Sequence, residues 1–227
     1  MSSLIAFLPI RKGSQRVVKK NVRDFANIEG GLTFIKLKQL ISSKKIDKII
    51  VSTDDEKAIK IAKAFNSNKI TIFVRPKHLA TSSTLTDELI NYVPSVIKDG
   101  IVLWTHVTSP FVDGAIYDDA ISKYLDNLDS FDSLMSVTKI QKFLWNNHNA
   151  LNYDRAKEKW PRTQTIEPLF EVNSGLFIAD IDIYRKLKDR IGKKPMLYKI
   201  NEIQAFDIDW GEDFDIAEAI WSRYGKI

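Results

Sequence analysis

The chain has 227 residues, 44% of them hydrophobic and 28% charged, with 34 Lys and Arg against 29 Asp and Glu and a formal charge of +5. That length can bury a sizeable core, no stretch reaches the roughly 18 to 20 apolar residues of a membrane span, and the lack of cysteine excludes disulfides, thiolate metal sites and a thiol nucleophile. Basic and acidic residues are interleaved along the chain, which argues against a duplex nucleic-acid partner, since that would favour a long basic stripe.

The predicted elements alternate. "LIAFLPI" (4–10) is a continuous apolar run of the kind a buried parallel strand requires. After a basic loop, "LTFIKLKQLIS" (32–42) has Leu32, Phe34, Ile35, Leu37, Leu40 and Ile41 over a broad helical face. "DKIIVST" (47–53) reads as a second strand, and "DDEKAIKIAKAF" (54–65) as a helix with acids at its N-terminus, capped by Thr53 or Asp54. "KITIFV" (69–74) is a third strand, followed by a helix over 86–98 bent or interrupted at Pro94. Then come a strand at 100–107, a helix at 113–125 and a strand at 132–140.

From 141 to 172 the periodicity breaks into a polar and aromatic stretch, and an irregular segment of that length in a compact domain signals a functional or interface excursion. Regular elements return with a strand at 174–180, a helix at 181–190, a strand at 196–200 and an amphipathic helix after Gly211. Strand–helix alternation with short connections predicts right-handed βαβ units in a three-layer α/β domain with a mostly parallel central sheet. Residues 1–227 read as one such domain, with 141–172 as its excursion. The opening residues carry no basic region ahead of the apolar run, so a secretory signal is not expected and a cytoplasmic location is.

The loop after the first strand carries the chemistry. In "LPIRKGSQRVVKKNVRDF" (8–25), Arg11, Lys12, Arg16, Lys19, Lys20 and Arg23 occur with no acid until Asp24. A cluster so dense predicts a small polyanion, and ligands of open α/β sheets bind beyond the carboxyl ends of the strands. Gly13 and Ser14 let backbone N–H groups approach phosphate oxygens. No Gly-Lys-Ser/Thr closes the loop and no Gly-x-Gly-x-x-Gly opens it, so the familiar nucleotide loops are excluded.

"LPIRKGSQRVVKKN" resembles the opening motif of the CMP-sugar synthetases, the acylneuraminate cytidylyltransferase family. Further matches follow in order: "IIVSTDDEKAIKIA" (49–62), "RPKHLATSST" (75–84), "VTSPF" (107–111), "PRTQTIEPLFEVNSGLFI" (161–178) and "FDIDWGEDFDIAEA" (206–219). The resemblance implies a nucleotide-diphosphosugar transferase-like, Rossmann-like fold and a Mg²⁺-dependent transfer of CMP from CTP to an acidic, nonulosonic-type sugar, in a homodimer. It implies that Arg11, Gly13, Ser14, Lys20 and Asn21 hold CTP, with Arg11 and Lys20 on the phosphates. "RPKHLATSST" resembles the family's cytosine-recognition stretch but departs from it, leaving Ser82, Ser83, Thr84 and Thr86 as candidates, with Thr84 carried forward; Arg75 is either part of this or a surface residue.

Asp207 and Asp209 form an Asp-x-Asp whose carboxylates share one side of an extended segment, with Cα atoms about 7 Å apart. Such hard oxygen ligands suit Mg²⁺, and Asp209, with Arg11 and Lys20, is the expected catalytic set. Glu212 and Asp213 read as a helix start. The family commonly carries Gln-x-Thr-Ser-Pro where this chain has His106-Val107-Thr108-Ser109-Pro110; the glutamine position faces the sugar there, so its replacement suggests a different acceptor or a different grip on it, with a structural histidine as the alternative. Arg162, Gln164 and Asn173 are the other expected sugar contacts, and Arg162 could instead form an interface salt bridge. The rival readings are transfer to another small acceptor such as a phosphonate or Kdo-like acid, a glycosyltransferase of related fold, and a nucleotide-binding regulator without turnover.

Overall fold

Successive side chains of a strand face opposite sides of its sheet, and β1 (Leu4–Ile10) is apolar on both. Leu4, Ala6, Leu8 and Ile10 pack into one core, Ile5 and Phe7 into another. A strand buried on both faces must lie inside a three-layer domain, and β1 does. The computed structural model describes residues 2–227. After β1 come α1 (Gly31–Ser42), β2 (Lys48–Thr53), α2 (Glu56–Ala64), β3 (Ile70–Val74), α3 (Thr86–Val96), β4 (Ile101–Trp104) and α4 (Gly114–Asp126). The chain continues through β5 (Ser133–Ile140), β6 (Leu169–Asp180), α5 (Ile181–Leu187), β7 (Pro195–Ile200) and α6 (Gly211–Tyr224).

The seven strands are ordered β3-β2-β1-β4-β6-β5-β7, and β6 alone runs antiparallel to its neighbours. Helices α1, α2, α4 and α6 cover one face and α3 and α5 the other. The chain winds outward from β1 to β3, then returns to place β4 on the other flank of β1. This reversal parts the loops after β1 and β4, which is where open α/β sheets bind ligands.

Several boundaries differ from expectation, and α3 runs through Pro94 to end at Val96. The fourth strand ends at Trp104, just before Thr105, whose N–H still donates to the Phe7 carbonyl (3.2 Å) and whose hydroxyl donates to the Gly175 carbonyl at 2.7 Å. The irregular stretch ends at 168, not 172, since Leu169–Val172 pair with residues 137–140 of β5. The helix after β6 stops at Leu187, where Lys188 takes a left-handed conformation (φ 56°). Finally, α2 is capped by Asp55, which accepts from the Lys57 N–H at 2.9 Å, and not by Thr53 or Asp54. Asp54 instead accepts from the backbone N–H of Lys12 at 2.8 Å, tying the basic loop to the end of β2.

Within the excursion, buried Asn152 replaces a regular ladder. Its amide nitrogen donates to the carbonyls of Lys142 (2.8 Å) and Glu167 (3.2 Å), and its oxygen accepts from Leu144 N–H (3.2 Å). Around it Phe143, Tyr153 and Trp160 pack edge to face, and the Arg155 guanidinium lies over both Trp145 and Trp160.

Candidate active site

The basic residues do not repel one another in a heap, because the fold gives most of them separate partners. Lys12 pairs with Glu56 at 2.7 Å, which raises its pKa, and so points away from the loop centre. Arg23 lies over the Phe214 ring of α6, while Lys19 is exposed with a left-handed backbone (φ 55°) that tightens the turn. Arg11, Arg16 and Lys20 remain around a cleft of about 340 Å³ that Ser14, Asn21, Ser82 and Thr108 also line. Gly13 has a positive φ of 80° with nothing within 4 Å of where a side chain would start, so its backbone is open to a ligand.

The loop is held at both ends. Asn21 donates its amide N–H to the Arg11 carbonyl (3.1 Å), and its own carbonyl accepts from the N–H (2.9 Å) and hydroxyl (2.6 Å) of Thr33 in α1. The close approach at this end requires Gly31, where a Cβ would lie 1.8 Å from the Arg23 carbonyl oxygen. Arg11 donates to the Thr81 carbonyl at 2.7 Å, which brings the 75–86 segment over the cleft. Of the four hydroxyl candidates there, Ser82 lines the cleft. Thr84 does not: its hydroxyl donates to the His78 carbonyl and accepts from the Thr81 N–H, bracing the turn. Arg75 is buried, not a surface residue; it donates to the Ser52 carbonyl at 2.7 Å, and burial pulls its pKa down to about 10.

The acidic segment meets the loop directly, at the edge of this cleft. Ile208 is fully buried and its N–H donates to the Thr108 carbonyl at 2.9 Å, so Asp207 and Asp209 project to the opposite side, as the extended spacing predicts. Asp209 lies 3.7 Å from the Lys20 ammonium and 3.3 Å from the Arg16 guanidinium, which also stacks on Trp210. Lys20 donates to the Ile208 carbonyl as well. Burial lowers the Lys20 pKa against the pull of Asp209 and Asp207, so this ammonium is partly stripped of water before any ligand arrives. Asp207 is shifted upward by burial, an effect opposed by hydrogen bonds from Thr108 and Ser109 and by the Lys20 charge.

Asp207 and Asp209 line a second cleft of about 650 Å³ with Asn173, Lys142, Glu171 and Glu202. The Lys20–Asp209 contact is therefore the boundary between two adjoining polar clefts. Two carboxylates facing phosphate-sized space fit Mg²⁺, which takes one or two carboxylates and fills its shell with phosphate and water oxygens. No group of three or more His, Cys, Asp or Glu that could hold a metal occurs among the described residues, so an ion here would need substrate oxygens.

His106 is partly buried at the carboxyl end of β4 and lines the first cleft. The Trp104 indole donates to His106 Nε2 at 2.9 Å, which leaves Nδ1 to carry the proton and act as a neutral donor. Burial, with the charges of Arg190 and Lys36 adding to it, pushes the His106 pKa down to about 3. Asn173 sits at the β5–β6 irregularity, bonded to Ser136 and Thr138, and lines the second cleft. Arg162 and Gln164 are exposed on the excursion and line neither cleft. Sequence reasoning missed Arg16 and Thr108 as cleft residues and Trp104 as the support of His106. The acid-free run signalled Arg16, but nothing local signals Trp104.

An open α/β sheet with a basic loop and an acidic pair at the carboxyl ends of its strands is laid out to bind an anionic ligand at its switch point. The chain belongs to the cytidylyltransferase family, whose model matches residues 5–222. It is 26% identical to an N-acylneuraminate cytidylyltransferase of Escherichia coli O18:K1:H7 over 99% of this chain, and it spans about half of that relative's length (54%). It is 22% identical to a pseudaminic acid cytidylyltransferase of Campylobacter jejuni, covering 89% of this chain and 99% of that one. In fold it is similar to a CMP:2-keto-3-deoxy-manno-octonic acid synthetase solved with CTP, with a TM-score of 0.71, 15% identity, and 98% and 99% of the two chains covered.

Proposed function

We propose that the two clefts are the nucleotide and acceptor halves of one site that transfers CMP from CTP to an acidic, nonulosonic-type sugar. The observation that carries this reading is the Lys20–Asp209 contact of 3.7 Å, which joins the cation-lined cleft to the carboxylate-lined one. The anomeric hydroxyl of the acceptor attacks the α-phosphorus, the bond to the β-phosphate bridging oxygen breaks, and pyrophosphate leaves with the hydroxyl proton released to solvent. Such a transfer needs neutralisation and alignment more than covalent help. Arg11 and Lys20 neutralise the triphosphate, with Gly13 and Ser14 offering backbone donors and Ser82 facing the base. Asp207 and Asp209 would hold Mg²⁺, which supplies charge stabilisation on phosphate oxygens and positions the nucleophile.

Asn173 serves the acceptor from the second cleft, while His106, which lines the nucleotide cleft, meets an acceptor whose reacting hydroxyl enters that cleft towards the α-phosphorus. Arg162 and Gln164 reach an acceptor only if a second copy brings its excursion to this site, so the reading includes a homodimer. The reaction belongs in the cytoplasm, with its product feeding surface-glycan assembly. A neutral His106 donor also suits an acceptor other than an acylneuraminate, and that is the second reading. Pyrophosphate release with each of four nucleoside triphosphates against a panel of sugar acids tests both. CTP with a nonulosonic acid is expected to be best; release with only a phosphonate or phosphorylated acceptor would favour the second reading, and preference for another base would overturn both.

A further inference from the structure

Lys36 lies in α1, fully buried, at a position where an amphipathic helix would carry a hydrophobe. Its ammonium donates to the carbonyls of Ser109 (2.9 Å) and Val112 (2.8 Å), and it lies 2.9 Å from the Tyr117 hydroxyl of α4. That hydroxyl is 2.8 Å from Thr105 Oγ1, which in turn donates to the Gly175 carbonyl. One side chain thus ties α1 to both ends of the β4–α4 loop. The same loop holds the acidic segment: Thr108 accepts from the Ile208 N–H, and the Ser109 hydroxyl lies 3.5 Å from Asp207.

We infer that Lys36 is a positioning residue, setting from beneath the sheet the β4–α4 loop on which the Asp207–Asp209 segment is hung. Among the described residues no carboxylate pairs with its ammonium, and the nearby Asp113 pairs with Lys226 at 3.5 Å. A buried cation with only neutral partners, two carbonyls and a hydroxyl, is costly, which makes a purely stabilising role an unfavourable explanation for it. Burial lowers its pKa to about 7, against Asp113, and in either protonation state it can donate to the two loop carbonyls.

The inference rests on the reading of Asp207 and Asp209 as the magnesium pair, and its test separates the two. Lys36→Met keeps the stem and removes the amine. In purified protein, amide exchange at 206–210 should accelerate at least tenfold while exchange in β1 and β2 stays slow. The magnesium concentration for half-maximal pyrophosphate release should rise about tenfold at unchanged KM for CTP. Arginine at position 36, which can still reach carbonyls, should recover part of both effects. Uniformly faster exchange, or unchanged exchange at 206–210, overturns the inference. Should wild type release no pyrophosphate, the transferase reading fails and the exchange result still decides the role of Lys36. Should Lys36→Met not fold, Tyr117→Phe, which removes one partner of the amine, must shift exchange at 206–210 in the same direction or the inference falls.

Discussion

Lys20 stands between the clefts, with 12% of its side chain exposed and Asp209 3.7 Å away. A desolvated ammonium at that place serves charge developing on a phosphate better than a hydrated one. Lys20→Ala should lower kcat/KM by about 2–4 kcal/mol, the scale of losing one electrostatic donor, with circular dichroism unchanged. Wild-type turnover in that variant would reduce the loop to a solvated turn. Asp209→Asn should abolish product formation while calorimetry still detects CTP binding, since the loop supplies the grip; loss of nucleotide binding instead would make Asp209 a brace for Lys20 and Arg16.

His106 makes a prediction about pH. Its folded pKa of about 3 lies below the ordinary 6.5, so between those values the unfolded chain binds more protons than the folded one. Its contribution to stability is therefore present above about pH 6.5 and lost as pH falls towards 3, with a slope of at most about 1.4 kcal/mol per unit. His106→Gln should flatten that slope in urea titrations at pH 4 to 7, and should shift the acceptor KM by more than the KM for CTP, whose cleft it lines. An unchanged acceptor profile with lowered stability would make His106 structural.

At the level of elements, the cap of α2 shows how a one-residue question is decided by neighbours. "STDD" offers several caps, and Asp55 takes the role because Asp54 is engaged by the Lys12 N–H. Asp55→Ala should cost about 1 kcal/mol in urea unfolding, whereas Asp54→Ala should cost less and weaken nucleotide binding through the loop. Elements with a clear period or a continuous apolar run, such as β1, β2 and α4, were legible from the residues. The start of β6 was not, because Leu169–Val172 are partly exposed and pair outside the main core, and only their non-local partner on β5 makes them a strand. Lys36 escaped for a similar reason. Its place on the apolar face of α1 points to burial, but its partners are legible only once the carbonyls of the β4–α4 loop are known to lie against it. The basic loop and Asp-x-Asp were legible because charge density and alternation are local signals, while the choice of Ser82 over Thr84 depends on how a turn folds.

For the whole molecule, the excursion leaves Trp160 64% and Trp145 44% exposed beside an arginine, and it keeps Arg162 away from both clefts of its own chain. Aromatic and arginine-rich surface of this kind suits an interface between copies. Sedimentation should find a dimer, and Trp160→Ser should weaken it by about 2 kcal/mol, the scale of a central aromatic anchor; a monomer at all concentrations would remove Arg162 and Gln164 from the site.

The central claim is that one site joins a triphosphate cleft to a carboxylate cleft and couples them through magnesium. Mass spectrometry and phosphorus NMR of a reaction containing the protein, CTP, magnesium and a nonulosonic acid test it most directly. The account predicts CMP-sugar and pyrophosphate in equal amounts, and neither when the acid is left out or when excess chelator is present. Pyrophosphate released without the sugar acid, or CMP-sugar formed in excess chelator, would contradict it.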